Sequence, residues 1–492
     1  MTTEIYHAAS TAWQRQDRAL TLALCNGLSG LVFGIRKYWR LSVAAGLFAI
    51  GLDCATAVGQ SVPSYDSASN QVSLPSILVN GVSYPAVVVT VGGLVGVGGG
   101  NPQGTVSTYD STLNQATLPS VVVDGLDTYT NVVFTPGQVI GSGTPELVPT
   151  ERSVGFQLRG FNLSAFSVDS WDVAADNEAA LQFIKTEGGN AVVLDWMVEF
   201  ADDGTMSSNG GSTHPPWADI VSVVARAKAL GLYVVLKPHV ISTQCCGQNR
   251  NSTNTNIETF LPATFFPAWR SYLLNMISLL PMQSVDAISI GTELDILDWQ
   301  FRSEWASTIQ AVRGVYSGAV TYDAMFSQYS GAKDVGDVIF WDLVDFISCS
   351  FYVRLSQDDT LSAPSLAALM RNTPGVDIAD PIAYLEQIAS QYGKQIFTLE
   401  GGYQSANGAL WGVNDYYGAA ATENQDLQSR GLDAYLFTLN FNQGNWLKGV
   451  SLWDIQPRHW RSHTWVDPNY RNGWGMYNKA AADTVMKWYS IP

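Results

Sequence analysis

Cysteine and histidine are scarce, five of each in 492 residues. Cys25 and Cys54 fall in a distinct N-terminal segment, and the other three, Cys245, Cys246 and Cys349, are too few to form a disulfide framework. Among His7, His214, His239, His459 and His463 only the last two lie close together, in a polar stretch without ligand-set spacing, so no metal centre is expected. Basic charge is also thin. The 26 Lys and Arg stand against 43 Asp and Glu, a formal charge of -17, which excludes a broad face for nucleic acid or anionic lipid. The one glycine-rich run, "GGLVGVGGG" at 92–100, leads into no helix and no Lys-Ser or Lys-Thr, so no phosphate loop and no cofactor are expected. What the chain does carry is apolar and aromatic residues: 46% hydrophobic, with 16 Trp and 21 Tyr. That supports a large core, with rings left over for partly apolar, hydroxyl-rich ligands such as sugars.

The N-terminal segment, residues 1–57, places basic "RKYWR" before apolar "LSVAAGLFAIGL" and then "DCATA". This is the order of an export signal, and it predicts a secreted or cell-envelope protein. A membrane anchor is the alternative, although the apolar run is short for a span. Asp53, where a small residue is wanted, argues against a lipid-modified Cys54. Residues 58–148 then repeat: "SYDSASNQVSLPSILVNGVSYPAVVVTVG" returns as "TYDSTLNQATLPSVVVDGLDTYTNVVFTPG", with Tyr65 and Tyr109 equivalent. Asn-Gly and Asp-Gly within the copies predict hairpins, and the glycine run is expected to be a linker between them. The pair is expected to be a small β spacer that serves for attachment to a cell surface.

From 149 to 492, apolar runs alternate with helical stretches, the pattern of βα units. Eight strands are predicted, in "VGFQLRGFN", "NAVVLDW", "LYVVLKPH", "DAISIGTE", "GAVTYDA", "VDFISCSFY", "KQIFTLEGG" and "KGVSLWD". Eight close a (β/α)8 TIM barrel, and the segment's excess over the usual length puts insertions such as "STQCCGQNRNSTNTN" in its loops. Within that loop Cys245 and Cys246 would either close on each other or stay as thiols.

Side chains at the C-terminal ends of barrel strands meet around one pocket. Here those ends carry Asn162, Trp196, Lys237, His239, Glu293, Tyr322, Asp323, Tyr352, Glu400, Trp453 and Asp454. A single Glu in such a place caps a helix or pairs with a base as readily as it reacts. Two, after the fourth and seventh strands, are what glycoside hydrolysis needs: one acid for the leaving oxygen and one carboxylate across the anomeric carbon. Trp196 is either a rim packing residue or a sugar platform, Lys237 a sugar contact or the partner of a carboxylate, and His239 a satisfied structural residue or, from its place at a strand end, a sugar contact. Tyr322 joins the same ring, and Cys349 reads as inert core.

The series "LKPHV", "FFPAWRSYL", "ISIGTEL", "VTYDAMF", "VIFWDLVDFISCSFY", "TLEGGYQSANGALW" and "GVSLWDIQP" resembles the successive motifs of glycoside hydrolase family 113, retaining β-mannanases of clan A. The resemblance implies Glu293 as acid/base and Glu400 as nucleophile, with Tyr352 bonded to the nucleophile and Trp453 as floor under the sugar. It also implies a (β/α)8 barrel acting on a neutral polysaccharide, mannan first. Thr292 stands where many clan relatives have Asn, and the segment after His239 departs from the family's aromatic one. A β-glucanase of the same clan and a glycan-binding surface protein without turnover are the rival readings.

Overall fold

The computed structural model describes residues 62–143, 145–150, 153–200, 206, 213–242, 262–281, 284–294, 297–413, 421–457 and 472–492. The leader, the Cys245–Cys246 pair and the His459–His463 pair lie outside these residues. Among the described residues no helix is long and apolar enough to cross a membrane. The chain divides into two units, Met1–Val148 and Pro149–Pro492.

In the first unit each repeat contributes three strands: β1 (Ser64–Asp66), β2 (Gln71–Val79) and β3 (Val82–Val97), then β4 (Thr108–Asp110), β5 (Gln115–Val123) and β6 (Asp127–Gly141), followed by a short β7 (Glu146–Leu147). The hairpins turn where Asn-Gly and Asp-Gly predict: Asn80 and Gly81 have φ 49° and 84°, Asp124 and Gly125 49° and 70°. The two copies interlock. β1 pairs with its own β2 and, in parallel, with β5 of the other copy, while β4 pairs with its own β5 and with β2. With β3 against β6, the pairings form a ring around Val72, Leu74, Val87, Val89, Leu118 and Phe134. The expected linker is corrected here: Gly92 to Val97 continue β3, because Gly93, Leu94 and Gly96 find Thr135, Phe134 and Val133 on β6.

The second unit is a closed barrel of parallel strands, β8 (Leu158–Ala165), β9 (Ala191–Phe200), β10 (Tyr233–Ser242), β11 (Ala287–Thr292), β12 (Ala319–Met325), β13 (Ile347–Ser350), β14 (Ile396–Glu400) and β15 (Leu447–Ile455), which returns to β8. The first four strands are each followed by a helix, α1 (Ala174–Thr186), α2 (Trp217–Ala229), α3 (Pro262–Leu279) and α4 (Arg302–Arg313); a short 3-10 turn, Trp341–Leu343, stands between β12 and β13, two helices, α5 (Ala363–Met370) and α6 (Pro381–Tyr392), between β13 and β14, then α7 (Gln425–Asn442) before β15 and α8 (Ala480–Tyr489) after it. The fold is therefore the predicted (β/α)8 barrel. Local sequence sets its punctuation. Helix α6, for example, begins at Asp380, whose side chain accepts from Ala383 N, has Pro381 in its first turn and ends on Gly393 at φ 62°. Inside the barrel, Leu158, Ala191, Val193, Val235, Ala287, Phe346, Phe397 and Leu399 form an apolar cluster. The next inward positions are polar: Thr321 Oγ1 bonds the Phe346 carbonyl and lies 2.9 Å from Ser348 Oγ.

Candidate active site

Because side chains alternate along a strand, the positions two residues beyond the apolar cluster also face the barrel interior. On β9 and β10, Val193 and Val235 are followed inward by Asp195 and Lys237, which are partners in the parallel register. On β12, Thr321 is followed by Asp323. Glu400 reaches the same level through an irregularity: Cys349 pairs with Thr398 but Ser350 with Glu400, so one residue of β14 is skipped. Such a bulge re-aims the side chain that follows it.

Lys237 sits at the centre, fully buried, with Nζ 2.8 Å from Asp195 Oδ2, 3.4 Å from Asp323 Oδ2 and in contact with Glu400 Oε1. Burial pushes the ammonium toward neutrality, and Asp195, Glu400 and Asp323 together overcome that and raise its pKa. Asp195 is also desolvated, yet Lys237 and His239 hold it down at about 2. Asp323 goes the other way. Burial raises its carboxyl well above the usual range, Lys237 opposes this, and the charges of Glu400 and Glu293 add to it. Glu400 is 4% exposed, and its second oxygen accepts from Tyr352 Oη at 3.0 Å. Asp195, His239 and Glu400 bring one potential ligand atom each to within 4.8 Å of one another, and the Lys237 ammonium already supplies positive charge between two of them. Trp453 lies against this cluster, its ring 5.1 Å from Lys237 Nζ and edge-on to Phe166 at 6.0 Å.

Glu293 follows β11 directly and is 7% exposed. Its backbone is left-handed, φ 49°, a conformation that costs a non-glycine residue on the order of 1–3 kcal/mol and persists where surroundings impose it. Its N–H donates to the Asp323 carbonyl at 2.7 Å, and the electrostatic influence of both Glu293 and Glu400 reaches Asp323 and Tyr352. Two carboxylates thus stand at one polar, partly exposed barrel mouth.

The sequence profile of Glycoside Hydrolase Family 113 matches residues 170–479. The chain belongs to glycoside hydrolase family 113. Solved structures agree on the barrel. The family 113 β-mannanase of Alicyclobacillus acidocaldarius is 22% identical with a TM-score of 0.54, over 68% of this chain and 98% of that one. A second family 113 β-1,4-mannanase, solved as a complex, is 20% identical with a TM-score of 0.54, over 69% of this chain and all of that one. At the level of sequence alone, no curated protein matches significantly.

Within this family 113 barrel two expected sugar contacts are corrected. Trp196 and Tyr322 are wholly buried. Each sits one residue from an inward-facing carboxylate, Asp195 or Asp323, and so points outward into the helix layer. Trp196 donates to Tyr272 Oη at 2.7 Å and packs on Trp171 and His214, while Tyr322 packs on Trp305 and Phe340. Lys237 is the partner of carboxylates, since its ammonium is enclosed by three of them. His239 is 2% exposed, with Nδ1 3.3 Å from Asp195 and, among the described residues, no partner for Nε2. Thr292 Oγ1 is likewise buried and has no partner among the described residues. Tyr352 and Trp453 are partly exposed, as a cleft requires. Sequence reasoning passed over Asp195, because Trp196 beside it looked like the sugar-contacting residue, and Trp474, which lies edge-on to Tyr352 at 6.5 Å. Strand parity counted from the apolar cluster would have found Asp195; Trp474 carried no signal.

Proposed function

We propose that this glycoside hydrolase cleaves a neutral β-1,4-mannan with retention of configuration. The observation that carries the reading is Glu400, held at the end of β14 between Tyr352 and Lys237, in one cluster with Glu293 at the end of β11. Glu400 attacks the anomeric carbon while Glu293 gives its proton to the departing glycosidic oxygen, forming a glycosyl ester. Glu293 then takes a proton from water, the water oxygen bonds to the anomeric carbon, and the ester breaks to free Glu400. Tyr352 and Lys237 keep the attacking carboxylate in one orientation, and Trp453 offers a flat apolar face to the reacting sugar. Mannan as substrate is supported by the names of the solved family 113 β-1,4-mannanases. The "RKYWR" and "LSVAAGLFAIGL" order supports export, with the interlocked repeats as an attachment module.

Hydrolysis of mannans, glucans and xylans, with the anomer of the first product followed by NMR, tests this reading. Fastest release from mannan with a β-anomer first is expected. A preference for β-glucan would reassign the sugar, an α-anomer first would overturn retention, and binding without turnover would favour the glycan-binding alternative. E400Q and E293Q should each lose on the order of 10²- to 10⁴-fold in turnover while staying folded.

A further inference from the structure

Tyr322 does not reach the cleft, yet its hydroxyl is committed at both ends to the segment that carries Glu293. The ring leaves β12 on the outer side of the barrel and is enclosed by Trp305, Phe340 and Trp341. Its Oη accepts from Leu294 N at 2.7 Å and donates to Asp298 Oδ2 at 2.9 Å, and Asp298 is itself buried. Asp298 N in turn donates to the Leu294 carbonyl at 3.0 Å. One residue further along β12, the Asp323 carbonyl takes the N–H of Glu293. Both amides that flank the Glu293 side chain are therefore tied to a single strand, one through backbone and one through a phenol. Gly291 makes room for the phenol. A Cβ there would stand 2.9 Å from Tyr322 Cε2 and 3.1 Å from Trp305 Cη2.

We propose that Tyr322 is a positioning residue for the acid/base: its hydroxyl, bridging the Leu294 amide and the Asp298 carboxylate, holds Glu293 in the left-handed backbone from which its carboxyl meets the glycosidic oxygen. This rests on the reading of Glu293 as the acid/base. The left-handed backbone is costly for a glutamate, and an ordinary extended exit from β11 would aim the side chain elsewhere. Donor and acceptor are both buried, so removing the hydroxyl leaves the amide and the carboxylate each short of that partner. Relaxing the segment to recover those bonds moves Glu293, and a displacement of about 1 Å in a proton donor costs on the order of 10²-fold.

The test is Y322F in the full chain, with E293Q beside it, on two aryl glycosides of the sugar the enzyme cleaves. Phenol leaves only with a proton, whereas 2,4-dinitrophenol leaves without one. Y322F is expected to lower kcat/KM for the phenyl glycoside about 10- to 100-fold and for the dinitrophenyl glycoside by less than about threefold, and azide should raise kcat on the latter. A purely structural role would lower both substrates alike, and that result overturns the proposal. E293Q reports on the acid/base reading separately. If it cleaves the phenyl glycoside as the wild type does, that reading fails; if it shows the leaving-group signature and Y322F does not, only the role of Tyr322 fails. D298N keeps the side-chain volume and removes the charged acceptor, so the same leaving-group selectivity, smaller in size, is expected of it. Should Y322F prove unfolded, D298N decides, and equal losses on both substrates sink the proposal.

Discussion

Two aspartates that flank one lysine have opposite electrostatic fates, and this separates their predicted effects. Asp195 is charged in the fold with its pKa depressed to about 2, so its contribution is present above the unfolded value near 3.9 and is lost as pH falls from there toward 2. D195N removes one partner of a buried charge and should cost roughly 3–5 kcal/mol near neutral pH and much less at the acid end. Asp323 has a raised pKa, so ionisation of the unfolded chain draws stability away as pH rises through the ordinary carboxylate range. An asparagine cannot ionise. D323N should therefore gain on the wild type between about pH 4 and 7, as read by denaturant unfolding at both ends of that window. The opposite order of the two variants would mean that the proton sits on Asp195. At the cleft, W453A should lower kcat as well as affinity if its ring positions the reacting sugar as proposed, and an effect on affinity alone would remove that role. W196A, buried behind Asp195, should instead lower the melting temperature; a raised Michaelis constant with unchanged stability would return Trp196 to the cleft.

At the scale of elements, the positions proposed to react coincide with broken regularity. Register slips between Ser289 and Thr292 on β11, and between Thr398 and Glu400 on β14, just where the two glutamates leave their strands. A regular strand can present only every second residue to the interior, and a bulge changes which one that is. The N-terminal strands show a different kind of dependence. β1 and β4 each complete the other repeat's edge, so one repeat by itself has unpaired edges and half of the shared core. A fragment holding only the first repeat should be unfolded by circular dichroism, whereas the pair should melt cooperatively. A stable single repeat would show the interlocking to be incidental.

The whole molecule carries a formal charge of -17. A neutral polymer gains nothing from that field, while a polyuronate is repelled within about a Debye length, ~8 Å at physiological ionic strength. Turnover of mannan should hence change little between low and physiological salt, and a pectin- or alginate-like polymer should be a poor substrate, most of all at low salt. Faster cleavage of a uronate than of any neutral polymer would overturn the substrate class.

The barrel, its eight strands and the two glutamates at strand ends were legible in the sequence, because apolar runs, their spacing and their turn residues are local properties. So were the hairpin turns of the repeats, since Asn-Gly and Asp-Gly act over two residues. Which face each strand-end residue takes was not legible. Trp196 and Asp195, or Tyr322 and Asp323, differ by one position, and parity is decided only when the strand locks its register against both neighbours. The three-carboxylate setting of Lys237 likewise joins residues from four strands, and the repeats' exchange of edge strands joins residues dozens of positions apart. Local sequence determines which elements form; the mutual register of those elements, which only the closed fold supplies, decides which side chains meet and what charge they carry.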